Sequence, residues 1–301
     1  MDEILKKNLA NVQVSLDLFG NEVKKLSMRD RIGFLPISIW RPDWNVVKKL
    51  KAIIGDDGST RIALDGSNEG GGVYRKPSKS KLTYMSSLGN SETNVSIFNP
   101  HLAQMILSAY CPEGARVFDP FGGGGTRGFI ASAMGYGYFG IELRQDEVDR
   151  IKSQQRTLGN DFDIVCGDST VYPVEEDAFD FSYTCPPYYD LEIYSDLKDD
   201  LSAFGTYDDF LVGIKASLEA TYRALRPGSM AVWVVGNFRD KKGDLRHFNG
   251  DVARLGKEVG FHLHDELIFW GASGVAASRS GQFECNRKSV RVHEYLVIFR
   301  K

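Results

Sequence analysis

Residues 117–126 read VFDPFGGGGT: an apolar run closed by an acid, then a proline, four consecutive glycines and a threonine that opens an amphipathic stretch. A strand that turns directly into a helix through glycine restricts the chain to an α/β design. The glycines let backbone come close to a ligand, and the helix start offers amide groups with no partner inside the helix. The turn places Phe121, Gly123 and Gly125 as FxGxG behind Asp119 and Pro120. A dinucleotide fold carries GxGxxG at this point, so the spelling here fits an adenosyl group bearing an amino acid better than a pyrophosphate. Thr126 heads the following helix.

From about Asn99 the rest of the chain keeps to that design, with helical and strand periodicities alternating as a doubly wound sheet requires. NPHLAQMILSAY has helical spacing, ARVFD is a short buried strand, and TRGFIASAMG is a helix ending at Gly135. YGYFGIEL, DFDIVCGD and AFDFSYTC are further strands, with the polar helix RQDEVDRIKSQQRTLG after the first of them. A long amphipathic helix stops at Pro227-Gly228, SMAVWVVGNF is the next strand, and GDVARLGKEVG a shorter helix. LHDELIFWG and VRVHEYLVIFRK then form a closing hairpin. Residues 1–93 behave differently. Short apolar pieces such as GFLPISIW mix with the glycine-rich, polar stretch DGSTRIALDGSNEGGGVYRKPSKSK, which reads as a loop. The division expected is therefore an N-terminal region of open role over 1–93, a recognition or partner segment among its options, and one domain over 94–301.

With 42% hydrophobic residues in 301, the chain has ample material for a large core. A net charge of −3 gives no global attraction for polyanions, so a nucleic-acid site must be a local patch. Cys111, Cys166, Cys185 and Cys285 form no CxxC pair, which fits a reducing, cytoplasmic setting better than a disulfide framework or zinc site. The histidines show no metal-ligand spacing, and neither a signal peptide nor a membrane-spanning run is read.

Three more features fall at strand ends. Glu142 closes YGYFGIEL, 23 residues beyond Asp119. An acid at that place can hold both hydroxyls of a ribose, or be a plain surface carboxylate. Asp168 closes the next strand in CGDS and can face an adenine amino group or nothing. The following strand ends at TCPPYY, where Pro186 and Pro187 leave the sheet abruptly and present Tyr188 and Tyr189. Ligands of open α/β sheets sit outside the carboxyl ends of the strands, which makes three acids on successive ends more telling than any one.

In that order, VFDPFGGGGT, GIEL, GDS and CPPYYDLEIYS resemble motifs I to IV of the S-adenosylmethionine-dependent amino-methyltransferases, the enzymes of adenine N6 and cytosine N4 in DNA. FNPHLAQ resembles the helix start that precedes motif I in their cofactor-first order, and a longer likeness that includes GNFRDKKGDLRHFNGD is similar to phage and prophage DNA methylases. The resemblance covers about residues 95–301. It implies a mostly parallel, seven-stranded Rossmann-like methyltransferase sheet with a C-terminal antiparallel hairpin. S-adenosylmethionine would be the cofactor and DNA the partner, with RNA second. Asp119, Phe121, Gly123 and Gly125 would line the methionine end, with Asn99 and Pro100 nearby and Thr126 behind the turn; Glu142 would hold the ribose and Asp168 the adenine. At the corner the family has Asp, Asn or Ser, then Pro-Pro and an aromatic residue. The first side chain and first proline carbonyl accept from the target amine, and the ring stacks on the extruded base. Those roles fall on Cys185, Pro186 and Tyr188, with Pro187 fixing the turn.

Cys185 departs from that pattern, because a thiol is a weak acceptor. Three readings are open: the backbone carbonyls at 185 and 186 suffice for an amine; Cys185 instead adds to a pyrimidine for C5 transfer; or the domain binds nucleic acid without catalysis. Covalent C5 chemistry needs an activated thiolate and usually a proline before its cysteine, where this chain has Thr184. The same corner also serves enzymes that methylate RNA guanine or a protein glutamine amide. After it, DLEIYSDLKDDLSAFGTYDD carries seven acids and one lysine, a flap or partner contact rather than a phosphate surface. Basic character returns in FRDKKGDLRH and SRSGQFECNRKSVR, which nominate Arg239, Lys241, Lys242, Asn286, Arg287 and Lys288, together with Tyr189, as nucleic-acid contacts. Target base, recognition sequence, a homodimer or specificity partner, and a role in restriction protection, phage self-marking or regulation are left open by the sequence.

Overall fold

The structure, a computed structural model, describes residues 34, 37–55, 98–191, 194–195, 197–240, 242–271 and 281–301. In chain order its elements begin with β1 (Ile39–Trp40), α1 (Trp44–Ile53), α2 (Pro100–Tyr110), β2 (Arg116–Asp119) and α3 (Thr126–Ala133). β3 (Gly137–Glu142), α4 (Gln145–Leu158), β4 (Asp163–Cys166) and β5 (Phe179–Thr184) follow. The second half comprises α5 (Tyr207–Ala224), β6 (Leu225–Val235), the short strands β7 (Phe238–Arg239) and β8 (Leu245–Arg246), α6 (Phe248–Val259), β9 (His262–Trp270), α7 (Gly281–Asn286) and β10 (His293–Arg300).

Eight strands make one sheet in the order β1-β9-β10-β6-β5-β2-β3-β4. Its ladders are parallel except where β10 lies antiparallel between β6 and β9. The seven strands expected are all present, and β1 adds an eighth at the edge by pairing Trp40 with Phe269. From β2 the chain runs outward through β3 and β4, then returns to place β5 on the other side of β2. The order therefore reverses between β2 and β5, and in an open α/β sheet the crevice at such a reversal is where ligands bind.

The central strands are buried on both faces, as parallel strands covered by helices must be. In β6, Val232 and Val234 face one core with Leu102, Ile106 and Phe129, while Ala231, Trp233 and Val235 face the other with Phe210, Leu218 and Phe248. The first core lies under α1 to α4 and the second under α5 and α6. Part of the N-terminal region thus belongs to the sheet: Trp40 is 2% exposed and stacks on Tyr110 at 6.0 Å. Among the described residues, no helix is long and apolar enough to cross a membrane.

One boundary differs from its expectation. The long helix ends at Ala224, and Leu225 already pairs with Phe179, so Arg226-Pro227-Gly228 belong to β6 rather than to a helix stop. A register shift between Phe179 and Phe181 absorbs them; the proline's missing donor is tolerated there, and Gly228 donates its own amide to Lys301.

Candidate active site

A cleft of about 350 Å³ opens at the carboxyl edge, where the order of strands reverses. Its floor is set by Asp119, which is fully buried and satisfied on every side. It accepts from the Phe121 amide at 3.0 Å, Arg127 Nε at 2.6 Å, the Tyr138 hydroxyl at 2.7 Å and Thr184 Oγ1 at 2.6 Å. Tyr138 comes from the start of β3 and Thr184 from the end of β5, so one carboxylate ties together three adjacent strands. Burial opposes the Arg127 charge, but Asp119 beside it holds the guanidinium protonated well above its ordinary value. Arg127 also donates to the Phe121 carbonyl and lies over the Phe98 ring at 4.8 Å. Asp119 therefore lies beneath the wall it was expected to form, while Phe121 and Arg127 line the cleft.

The glycine turn is held from both sides. Gly122 donates to Ile141 at 2.6 Å and Gly123 to Glu142 Oε2 at 2.9 Å, while Arg150 Nη2 donates to the Gly124 carbonyl at 2.8 Å. Gly125 is left-handed, with φ of +78°, and caps α3. Thr126 is buried behind the turn and reaches the cleft wall. Glu142 lines the cleft and also accepts from the Arg144 amide at 3.1 Å. A carboxylate offers about four acceptor positions, so it can take ligand hydroxyls as well. Asp168 lines the wall too and closes a turn by accepting from the amide and hydroxyl of Thr170 at 2.9 and 2.8 Å. Asn99 caps α2 through the amides of His101 and Leu102 and faces the cleft, with Pro100 buried behind it in the first turn.

The Pro-Pro corner enters the same cleft. Cys185, Pro186, Pro187 and Tyr188 all line it. Burial pushes the Cys185 thiol up to about 12, with Glu294 adding to the rise and Arg127 opposing it. The Tyr188 hydroxyl donates to Glu294 Oε1 at 3.0 Å and lies 3.7 Å from Cys185 Sγ, and its ring packs 6.4 Å from both Phe238 and Phe248. Burial, then Cys185 and Glu294, keep that hydroxyl protonated well above its usual value. Tyr189 turns the other way. It is 9% exposed, packs at 5.6 Å from Tyr207 and Phe210, and donates to Gly205, so it is a core residue here and not the nucleic-acid contact expected.

The two basic loops meet beside this corner. Arg239 Nη1 and Lys288 Nζ both donate to the Gly243 carbonyl at 3.2 Å, in the β7–β8 hairpin whose Phe238 packs on Tyr188. Arg287, in a left-handed conformation, lies 5.6 Å over Phe283, Asn286 is exposed at the end of α7, and the Lys242 amide is bonded to Asp240. Lys241 lies outside the described residues. The acidic stretch contributes Tyr194, Asp199 and Leu201 to the cleft. Sequence reasoning missed Arg127, Arg150, Glu294 and Ile54, which reaches the wall from the end of α1. Arg150, Glu294 and Ile54 meet partners 26, 106 and 100 residues away, which local spelling does not mark, whereas Arg127 pairs with Asp119 only eight residues before it.

Residues 44–153 match the family model described as DNA methylase. The chain resembles the DNA amino-methyltransferases. The match begins with α1 and runs through the glycine turn and Glu142 into α4. The orphan methyltransferase M.BamHII of Bacillus amyloliquefaciens is 28% identical over 124 residues, 41% of this chain and 39% of that protein, so the chain aligns with about two fifths of that relative's length. Among solved structures, a SAM-dependent methyltransferase from Methanosarcina mazei superposes with a TM-score of 0.46 at 13% identity, covering 69% of this chain and 99% of that one. A TehB-like SAM-dependent methyltransferase from Corynebacterium glutamicum gives 0.43 at 20% identity, over 73% and 93%. The cofactor that a match to this family model indicates is S-adenosylmethionine.

Proposed function

We propose that the chain transfers a methyl group from S-adenosylmethionine to an exocyclic amine of a base extruded from DNA, adenine N6 ahead of cytosine N4. The observation that carries this reading is that the glycine turn with Glu142 and the Pro-Pro corner with Tyr188 open into one cleft. The residues suit the cofactor: the volume lies in the range of ligand pockets, backbone replaces side chains along the turn, and a carboxylate stands on the next strand. When bound, the cofactor supplies a methyl group activated by a sulfonium.

The chain's own part is positioning. An amine conjugated to a base ring is a poor nucleophile, so acceptors must draw on its hydrogens and turn its lone pair toward the methyl group. The carbonyls of the rigid corner at Cys185 and Pro186 serve as acceptors. A base inside a duplex cannot reach this cleft, so it is flipped out and stacked on Tyr188, whose ring is held by Phe238, Phe248 and Glu294. Arg239 on the neighbouring hairpin and Lys288 from the loop after α7, which share the Gly243 carbonyl, meet the phosphates. The catalytic unit is 94–301 with β1 and α1 joined to its sheet, and it works in the cytoplasm, where its free cysteines stay reduced.

Incubation with tritium-labelled S-adenosylmethionine and unmethylated mixed-sequence DNA, followed by nucleoside digestion and mass spectrometry, tests the reading. The expected product is N6-methyladenine or N4-methylcytosine. Label in 5-methylcytosine, or in RNA or protein alone, overturns it.

A further inference from the structure

Glu294 is a carboxylate beside the corner that the motifs do not mark. It stands near the start of β10. Because that strand runs against its neighbours, its beginning lies at the edge where they end. The reversal brings a residue from the last ten of the chain into the cleft, beside Cys185 and Tyr188. It is half-buried, and its Oε1 already accepts from the tyrosine that the proposed base stacks on.

Resting on the function proposed above, we infer that Glu294 accepts from the target amine beside the corner's carbonyls and takes the place that the Cys185 side chain leaves empty. The family pattern puts an oxygen or amide acceptor at position 185, and a protonated thiol cannot replace it. A carboxylate offers about four acceptor positions, so one held by Tyr188 can also meet an N–H of the base from the other side of the corner. As the nitrogen–carbon bond forms, the sulfur–carbon bond breaks and its electron pair stays on sulfur, leaving a neutral thioether. The methylated nitrogen, now carrying one proton too many, passes it to Glu294, which returns it to water. Tyr188 is then both the stacking face and the hydrogen-bond donor that fixes this carboxylate.

The test compares wild type, Glu294→Gln and the double variant Cys185→Asp/Glu294→Gln for methyl transfer to DNA and for S-adenosylmethionine affinity by calorimetry. The glutamine keeps an oxygen for the Tyr188 hydroxyl but cannot take a proton. The expected result is a loss of turnover on the order of a hundredfold in Glu294→Gln, with cofactor affinity, which also reports folding, unchanged within about twofold. The double variant, with a carboxylate restored at the family's position, regains at least roughly tenfold of that loss. Wild-type turnover in Glu294→Gln, or no recovery in the double variant, overturns the role of Glu294 while leaving the proposed function standing. A wild-type protein that methylates neither adenine nor cytosine overturns the function itself, and this inference with it.

Discussion

Cys185 shows how one residue's chemistry is decided by neighbours that its sequence position does not reveal. From its motif alone three readings stood: backbone carbonyls accepting in its place, a nucleophile for C5 transfer that Thr184 before it disfavours, or an inert thiol in a domain without catalysis. The structure surrounds it with apolar packing and places Glu294 nearby, and both favour the protonated form. A thiol raised to about 12 is ionised to only about one part in ten thousand at pH 8, so alkylation by iodoacetamide should run on the order of a thousandfold slower than for an unperturbed thiol. The sign follows from the acid: the thiolate appears only as pH rises toward 12, so labelling should climb with pH throughout the range below it. Peptide mass spectrometry of a labelling time course reads this directly. Rapid labelling of Cys185 at pH 8 would restore the nucleophile account. Asp119 offers the converse lesson. Its place at a strand end was legible, but its partners Tyr138 and Thr184 lie 19 and 65 residues on, so its role as the tie under the cleft was not.

Among the elements, the glycine turn was the most legible because its spelling and its geometry have the same cause. Gly125 needs its left-handed backbone to start α3, and a Cβ there would stand 3.0 Å from Ile151 Cγ1 on α4. Gly125→Ala should therefore cost about 1–2 kcal/mol for the conformation alone and weaken cofactor binding through the displaced turn. Chemical denaturation of the apo protein measures the first and calorimetry the second. A variant of unchanged stability would mean that the turn is not held as described. Helices and long strands were readable from their periodicity, whereas β1, β7 and β8, of two residues each, have none to read. The proline and glycine after α5 read as a stop because local punctuation normally is one; the bulge in the β5–β6 ladder decided otherwise.

For the whole molecule, alternation of helix and strand gave the doubly wound sheet, and the acids at its strand ends indicated where the cleft lies. What the sequence withheld was convergence over long chain distances: Ile54 arriving from α1, Glu294 from the antiparallel strand, and two basic loops meeting at Gly243. The central claim is that this convergence builds one cofactor cleft with Glu142 on its ribose side. The most direct test is calorimetric titration of S-adenosylmethionine into the protein and its Glu142→Ala variant, with melting of the apo forms as the control for the two backbone amides that Glu142 also receives. Hydrogen bonds to a charged group are each worth about 1.5–3 kcal/mol, so the account predicts one site per chain and an affinity weakened by at least about tenfold in the variant. Equal affinities in the two proteins would contradict it.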